Sequence, residues 1–213
     1  MFSKSMGGIM LIIWGRNTSS NVQKLLWASA EMGLPFERKN MAGKYGFTDE
    51  YLKINPNSVV PTIDDDGFIL WESNSCLRYL ASTYGEGSLR LDDGQMLANA
   101  DRWMDWCTTT MWDSLRPVFH GLIRTEERLR DMDFINKSAE ETGEILAILD
   151  DWLSDKSFVC GKQFSIGDIP LGIAVYRWLA MDIKRPERPN ILAWYERLCQ
   201  RPGYKEHIMI PLQ

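Results

Sequence analysis

The residues from Val59 to Ser73 combine side chains suited to holding a small charged peptide. Val59, Val60, Thr62 and Ile63 favour extended backbone, Asp66-Gly67 forms a two-residue turn signal, and Phe68 to Trp71 read as a return strand. Proline has no N–H to give to a ladder, so Pro61 belongs at a strand start, on an edge or in a special turn. A cis Val60-Pro61 bond is a candidate there, and it would turn the Val60 backbone outward, free to pair with a ligand. Glu72-Ser73 opens a helix whose first amide protons have no helical acceptor and favour an anion. An extended-backbone dock beside an anion cradle is a physical arrangement for an acidic peptide. A second cluster is the loop Gly15-Arg16-Asn17-Thr18-Ser19-Ser20-Asn21, whose hydroxyls and amides lie at a helix N-terminus. An anion gains about 0.3–1 kcal/mol there. The plain alternative for any one of these side chains is that it caps the helix.

The elements that must position these groups follow from the hydrophobic period. Met10 to Trp14 reads as a strand, Ser20 to Met32 as a helix ended by Gly33, and Phe36 to Asn40 as a second strand. Residues 47–54 read as a weak helix halted by Asn55-Pro56, and after the hairpin a helix runs from Ser73 to Tyr84. This order predicts a four-stranded mixed sheet, a parallel crossover followed by an antiparallel hairpin, with helices on its faces. Everything beyond the Gly-rich stretch at 85–94 reads as helical: 95–123, 133–155, a helix opening near Ser165-Ile166-Gly167-Asp168, and a last one over 190–200 ended by Arg201-Pro202-Gly203. Ser165 and Asp168 resemble a capping box with Asp in place of Glu. The expected organisation is a flexible extension over 1–9, an α+β domain over 10–85, a linker over 86–94 and an all-helical domain over 95–213.

Composition narrows the function. The chain has 213 residues, 45% hydrophobic with nine Trp, enough for a sizeable core. A net charge of −5 argues against a nucleic-acid partner, and no apolar run approaches the roughly 20 residues that span a bilayer. Cys76, Cys107, Cys160 and Cys199 have neither metal nor Cys-x-x-Cys spacing, and read as reduced thiols of a cytoplasmic protein. Only His120 and His207 are present, so no metal site and no histidine triad is expected.

With the mixed-sheet front half, Val60-Pro61, Glu72-Ser73 and a helical back half carrying Ser165-x-x-Asp168, the chain resembles the cytosolic glutathione transferases. The likeness is most specific from Asn55-Pro56 to Ser73, and 190–203 looks like the family's penultimate helix. The nearest likeness is to bacterial members close to the theta, delta and beta branches. The resemblance implies a thioredoxin-like domain followed by an all-α domain, a homodimer, and glutathione as co-substrate for attack on a small hydrophobic electrophile. A free thiol has a pKa of about 8.5, and a hydroxyl donating to the sulfur favours the thiolate. Counting back from Gly33, as in the serine-type relatives, places that hydroxyl at Ser19, with Thr18 and Ser20 flanking it and Asn17 and Asn21 as further contacts. Val60 is implied to pair its backbone with the cysteinyl part beside Pro61, Ser73 to bind the γ-glutamyl carboxylate, and Glu72 to meet the ammonium. Ser58 stands where several relatives carry a histidine for the glycyl end, a contact Lys53 can compensate. Trp112, Arg116 and Phe119 share a helix face and are implied to line the electrophile pocket, against a core or ion-pair role for each. No cysteine lies in the first loop, which disfavours chemistry by an enzyme thiol. A dehalogenase, isomerase or peroxidase on the same fold, and a non-catalytic interaction module, are the alternatives.

Overall fold

The computed structural model describes residues 11–213, so the expected extension over 1–9 and a strand start at Met10 lie outside the described residues. Strand β1 (Leu11–Trp14) is followed by α1 (Ser20–Met32), β2 (Phe36–Lys39), a short 3₁₀ turn at Gly43–Tyr45, α2 (Asp49–Ile54), β3 (Thr62–Asp65), β4 (Phe68–Trp71) and α3 (Ser73–Tyr84). The sheet order is β2-β1-β3-β4, with β1 parallel to β2 and antiparallel to β3, and β3 antiparallel to β4. This is the mixed sheet expected from the strand-helix-strand unit and the hairpin. The Asp66-Gly67 turn takes positive φ at both residues, 55° and 88°, as a tight hairpin requires. Asp64 Oδ1 accepts the Gly67 N–H at 2.8 Å and closes it.

The sheet buries Leu11, Ile13 and Ile63 against α1 and α3, where Val22, Leu25, Leu77 and Leu80 are fully enclosed. Asp65 is buried at the end of β3, with the hydroxyls of Tyr79 and Tyr84 donating to its carboxylate. Gly33 ends α1 in the left-handed conformation, φ 61°.

The second half is helical throughout. The long pattern expected over 95–123 is one continuous rod: α4 (Gly94–Trp106), a wide π turn at Cys107–Met111, α5 (Trp112–Phe119) and a second π turn at His120–Arg124. Asp93 caps its start, accepting the Met96 N–H at 2.8 Å. Then come α6 (Met132–Trp152), α7 (Asp168–Ala180), α8 (Pro189–Cys199) and α9 (Pro202–His207). One expectation changes here. The chain does not stop at Arg201-Pro202-Gly203: Pro202 ends α8 and also opens α9, because a proline at the first helical position loses no bond. His207 closes α9; its side chain is 16% exposed, and its carbonyl accepts the Gln23 amide from α1 at 2.9 Å.

The Ser165–Asp168 pair is larger than a cap. The Asp168 carboxylate is fully buried and accepts four bonds: from the Ser165 N–H and hydroxyl, the Val159 N–H and the Trp194 indole, all at 2.9–3.0 Å. The serine hydroxyl gives its proton to Asp168 instead of receiving a helix amide.

Candidate functional site

Three segments converge beside the end of the sheet. The first is the β1–α1 loop. Gly15 has φ 149°, and a Cβ there would collide with Val22 and stand 3.2 Å from the Val60 Cβ, so glycine lets the loop lie directly against Val60. Ser19 closes the loop as the N-cap of α1, with extended backbone, φ −77° and ψ 124°, and its carbonyl accepts the Gln23 N–H at 2.9 Å. Its hydroxyl makes no capping bond, so the capping role set against a chemical one is not taken up. Asn17 and Asn21 are exposed, and Thr18 is half-buried.

The second segment leads into the hairpin. The Val60-Pro61 bond is cis. The ladder begins at Thr62, paired with Trp71, so Pro61 stands just ahead of the strand. Val60 lies outside the ladder, and its N–H and C=O have no protein partner among the described residues. The preceding turn is held from below. The Tyr51 hydroxyl and the Asn55 amide both donate to Val59 O, at 2.5 and 3.0 Å, and both reach Thr62 Oγ1. Lys53 and Ser58 are exposed at the outer side of this turn, Ser58 with φ 54°.

The third segment is the start of α3. Glu72 is its N-cap with φ 71° and ψ 109°, a conformation that strains a side-chain-bearing residue, and its exposed carboxylate makes no capping bond. Helical bonding begins with the Cys76 N–H donating to Glu72 O at 2.8 Å, which leaves the amides of Ser73 to Ser75 without helical acceptors. Ser73, 7% exposed, donates its hydroxyl proton to Asn21 Oδ1 at 3.2 Å and so joins the third segment to the first.

Residues the sequence reading did not single out complete the arrangement. Lys24, one turn beyond Asn21 on α1, is 7% exposed and donates to Ser73 Oγ and Asn74 Oδ1 at 3.0 and 2.8 Å. Burial pushes its pKa down to about 8. Its i,i+3 spacing from Asn21 was the available signal. Arg177 of α7, 3% exposed, donates to Thr18 O at 3.2 Å and lies 5.5 Å from the Phe119 ring, fastening the loop from the helical half. Burial lowers its pKa to about 10, with Arg124 and Arg16 acting in the same direction.

Between the halves lies an open cleft of ≈ 90 Å³. Ser20, Asn21 and Lys24 form one wall, Cys107, Thr108 and Trp112 a second, and Pro170, Ile173 and Ala174 the third. Trp112 thus reaches the cleft. Arg116 is paired with Asp113 at 2.8 Å on an exposed face, and Phe119 is 2% exposed with the Arg124 and Arg177 guanidiniums 5.3 and 5.5 Å from its ring centre. Cys107 is buried, which pushes its thiol up to about 12 and leaves it a neutral wall group. Among the described residues no group of three or more His, Cys, Asp or Glu could hold a metal ion.

The comparisons agree with this geometry. Residues 18–83 match the family description "Glutathione S-transferase, N-terminal domain", and residues 114–202 match "Glutathione S-transferase, C-terminal domain". The chain is 36% identical over 207 residues to the glutathione S-transferase GstB of Escherichia coli (strain K12), covering 95% of this chain and 100% of that protein. Among solved structures, a theta-class glutathione S-transferase from Xanthomonas axonopodis pv. citri with glutathione bound superposes with a TM-score of 0.91 at 42% identity, covering 95% of this chain and 99% of the other. The glutathione transferase BmGSTD1 of Bombyx mori gives a TM-score of 0.82 at 26% identity, covering 93% and 92%. A thioredoxin-like front half on an all-helical back half, matched along almost its whole length by these enzymes, makes the chain a member of the glutathione S-transferase family.

Proposed function

We propose that this family member binds glutathione along Val60, holds its thiolate at the Ser19 hydroxyl, and transfers it to a small apolar electrophile entering against Trp112. The thiolate forms the new S–C bond while the leaving group departs with its electron pair. The observation that carries the reading is the pairing of two uncommitted groups. The Val60 backbone has no ladder partner, and the Ser19 hydroxyl does not cap its helix. An extended peptide satisfies the first and presents a sulfur toward the second. The amides of Ser73 to Ser75 suit the γ-glutamyl carboxylate, Glu72 the ammonium, and Lys53 and Ser58 the glycyl end. Asn17, Thr18 and Asn21 border the sulfur position. The thiol proton leaves to solvent, so no base is required. The solvent-open cleft walled by Trp112, Pro170, Ile173 and Ala174 supports a small apolar second substrate. On the family's pattern the working form is a cytoplasmic homodimer with 10–85 and 95–213 as its two domains, in a role such as detoxification.

The pKa of enzyme-bound glutathione, read by thiolate absorbance, tests the mechanism. The wild type should hold it one or more units below the free value of about 8.5, and Ser19→Ala should return it toward that value, a tenfold loss of thiolate for each unit at neutral pH. An unshifted pKa in the wild type overturns the mechanism. Size-exclusion chromatography with light scattering tests the dimer.

A further inference from the structure

Lys24 carries a positive charge into the interior with no negative charge to meet it. It is 7% exposed, and its two hydrogen-bond partners, Ser73 Oγ and Asn74 Oδ1, are both neutral. Glu72 favours the charged form through space, but burial outweighs it and Arg78 adds to the burial effect. Taking an ammonium out of water without an ion-pair partner costs stability, and an amide or an apolar side chain could tie α1 to α3 without that cost.

The position of the charge gives it a use. Two of the three ammonium protons are engaged, and Lys24 also lines the cleft beside Ser20, Asn21 and Thr108. Its contact Ser73 is the first residue of α3, where the amides of Ser73, Asn74 and Ser75 lack helical acceptors. An anion drawn to those amides meets Lys24 across the Ser73 hydroxyl, which already bridges Lys24 Nζ and Asn21 Oδ1. Charge-assisted bonds of this kind are about twice as strong as neutral ones. The buried cation and the helix start therefore converge on one ligand atom group, a carboxylate.

We propose that Lys24 is a further glutathione-binding residue, supplying the positive charge that receives the γ-glutamyl carboxylate at the start of α3. The assignment rests on the reading that this site takes glutathione. In the unliganded protein, Ser73 and Asn74 hold the ammonium in place. On binding, the carboxylate becomes its ionic partner.

Calorimetric titration with two peptides separates this role from a purely structural one. The probes are glutathione and γ-aminobutyryl-cysteinyl-glycine, which lacks only the γ-glutamyl carboxylate. The wild type should bind glutathione on the order of tenfold tighter than the analogue, about the effect of one charge-assisted contact. Lys24→Met should bind glutathione more weakly and keep only the smaller preference over the analogue that the α3 amides supply. If circular dichroism shows that Lys24→Met does not fold, Lys24→Gln replaces it, keeping a donor for Ser73 or Asn74 without the charge. A variant that keeps the wild-type preference, or a wild type that binds both peptides equally, overturns the Lys24 assignment and leaves the transferase reading standing. A wild type that binds neither peptide overturns both.

Discussion

Glu72 and Lys24 show how single residues in this site are held against their own preferences. Glu72 adopts φ 71°, a conformation that costs a residue with a Cβ about 1–3 kcal/mol, and its carboxylate receives no bond from the helix it opens. Such strain is tolerable where the side chain must point at a ligand. Glu72→Gly should therefore stabilise the fold by about 1 kcal/mol in thermal denaturation and, on the proposed pairing of Glu72 with the glutathione ammonium, raise the KM for glutathione about tenfold. Glu72→Gln separates the two effects: it keeps the strain and loses the charge, so KM rises while Tm stays. An unchanged KM in both variants would remove Glu72 from the glutathione contacts. Lys24 makes the complementary case. Its pKa near 8 lies below the unfolded lysine value, so the folded state releases its proton first and stability from this group rises with pH between about 8 and 10. Lys24→Met should lose that slope, as denaturant titrations at pH 7.5 and 9.5 would show.

At the scale of elements, what could be read in advance depended on how far apart the partners lie in the chain. The hairpin was legible because Asp66-Gly67 and the residues on either side of it settle the turn locally. The continuous helix through Trp112 was legible from its period. The ninth helix was not, because Pro202 is both a stop signal for α8 and a good first residue for α9. The local Ser165–Asp168 pairing was legible, but not its size, since Val159 and Trp194 reach it only after folding. That difference changes the expected energetics. A cap alone contributes about 0.5–2 kcal/mol, whereas orphaning several buried donors costs about 1–3 kcal/mol for each. Asp168→Asn should consequently destabilise the protein by at least 2–3 kcal/mol, roughly, beyond an ordinary cap. Burial also pushes the Asp168 carboxyl up to about 6, against the pull of its four donors. As pH falls, the folded state then takes up this proton before the unfolded chain does. The resulting stabilisation is full below about 4 and is lost as pH rises through 6. The stability gap between wild type and Asp168→Asn should narrow across that window in urea titrations. A gap that is constant with pH would place the folded carboxyl at its ordinary value.

The whole molecule meets at α1, which carries Ser19, Asn21 and Lys24 at one end and the joint between the two halves at the other. Trp27 is fully buried, 5.1 Å from the Phe164 ring and 4.7 Å from Tyr204. Its indole donates to Glu31, whose carboxylate takes both arms of Arg201 at 2.9 and 2.6 Å. Two glycines let the helical half come this close: a Cβ on Gly172 would stand 2.7 Å from Leu198 Cδ1 and 3.1 Å from Trp27, and one on Gly203 would stand 2.9 Å from the Ala30 Cβ. From the same half, Arg177 fixes Thr18 O and His207 O fixes Gln23. The β1–α1 loop is therefore positioned partly by the helical half, and the shared core should make the two halves unfold together. Gly172→Ala tests this on the side of α7 that packs against Trp27 and Leu198. Overpacking of this kind costs about 1–3 kcal/mol. If α1 is a common element, near-ultraviolet and far-ultraviolet circular dichroism should still trace one coincident transition, shifted to lower denaturant, and the KM for glutathione should rise as α1 is displaced. Two separated transitions, with the sheet half melting at its wild-type midpoint, would show instead that each half is stable alone and that the docking does not set the geometry of the site.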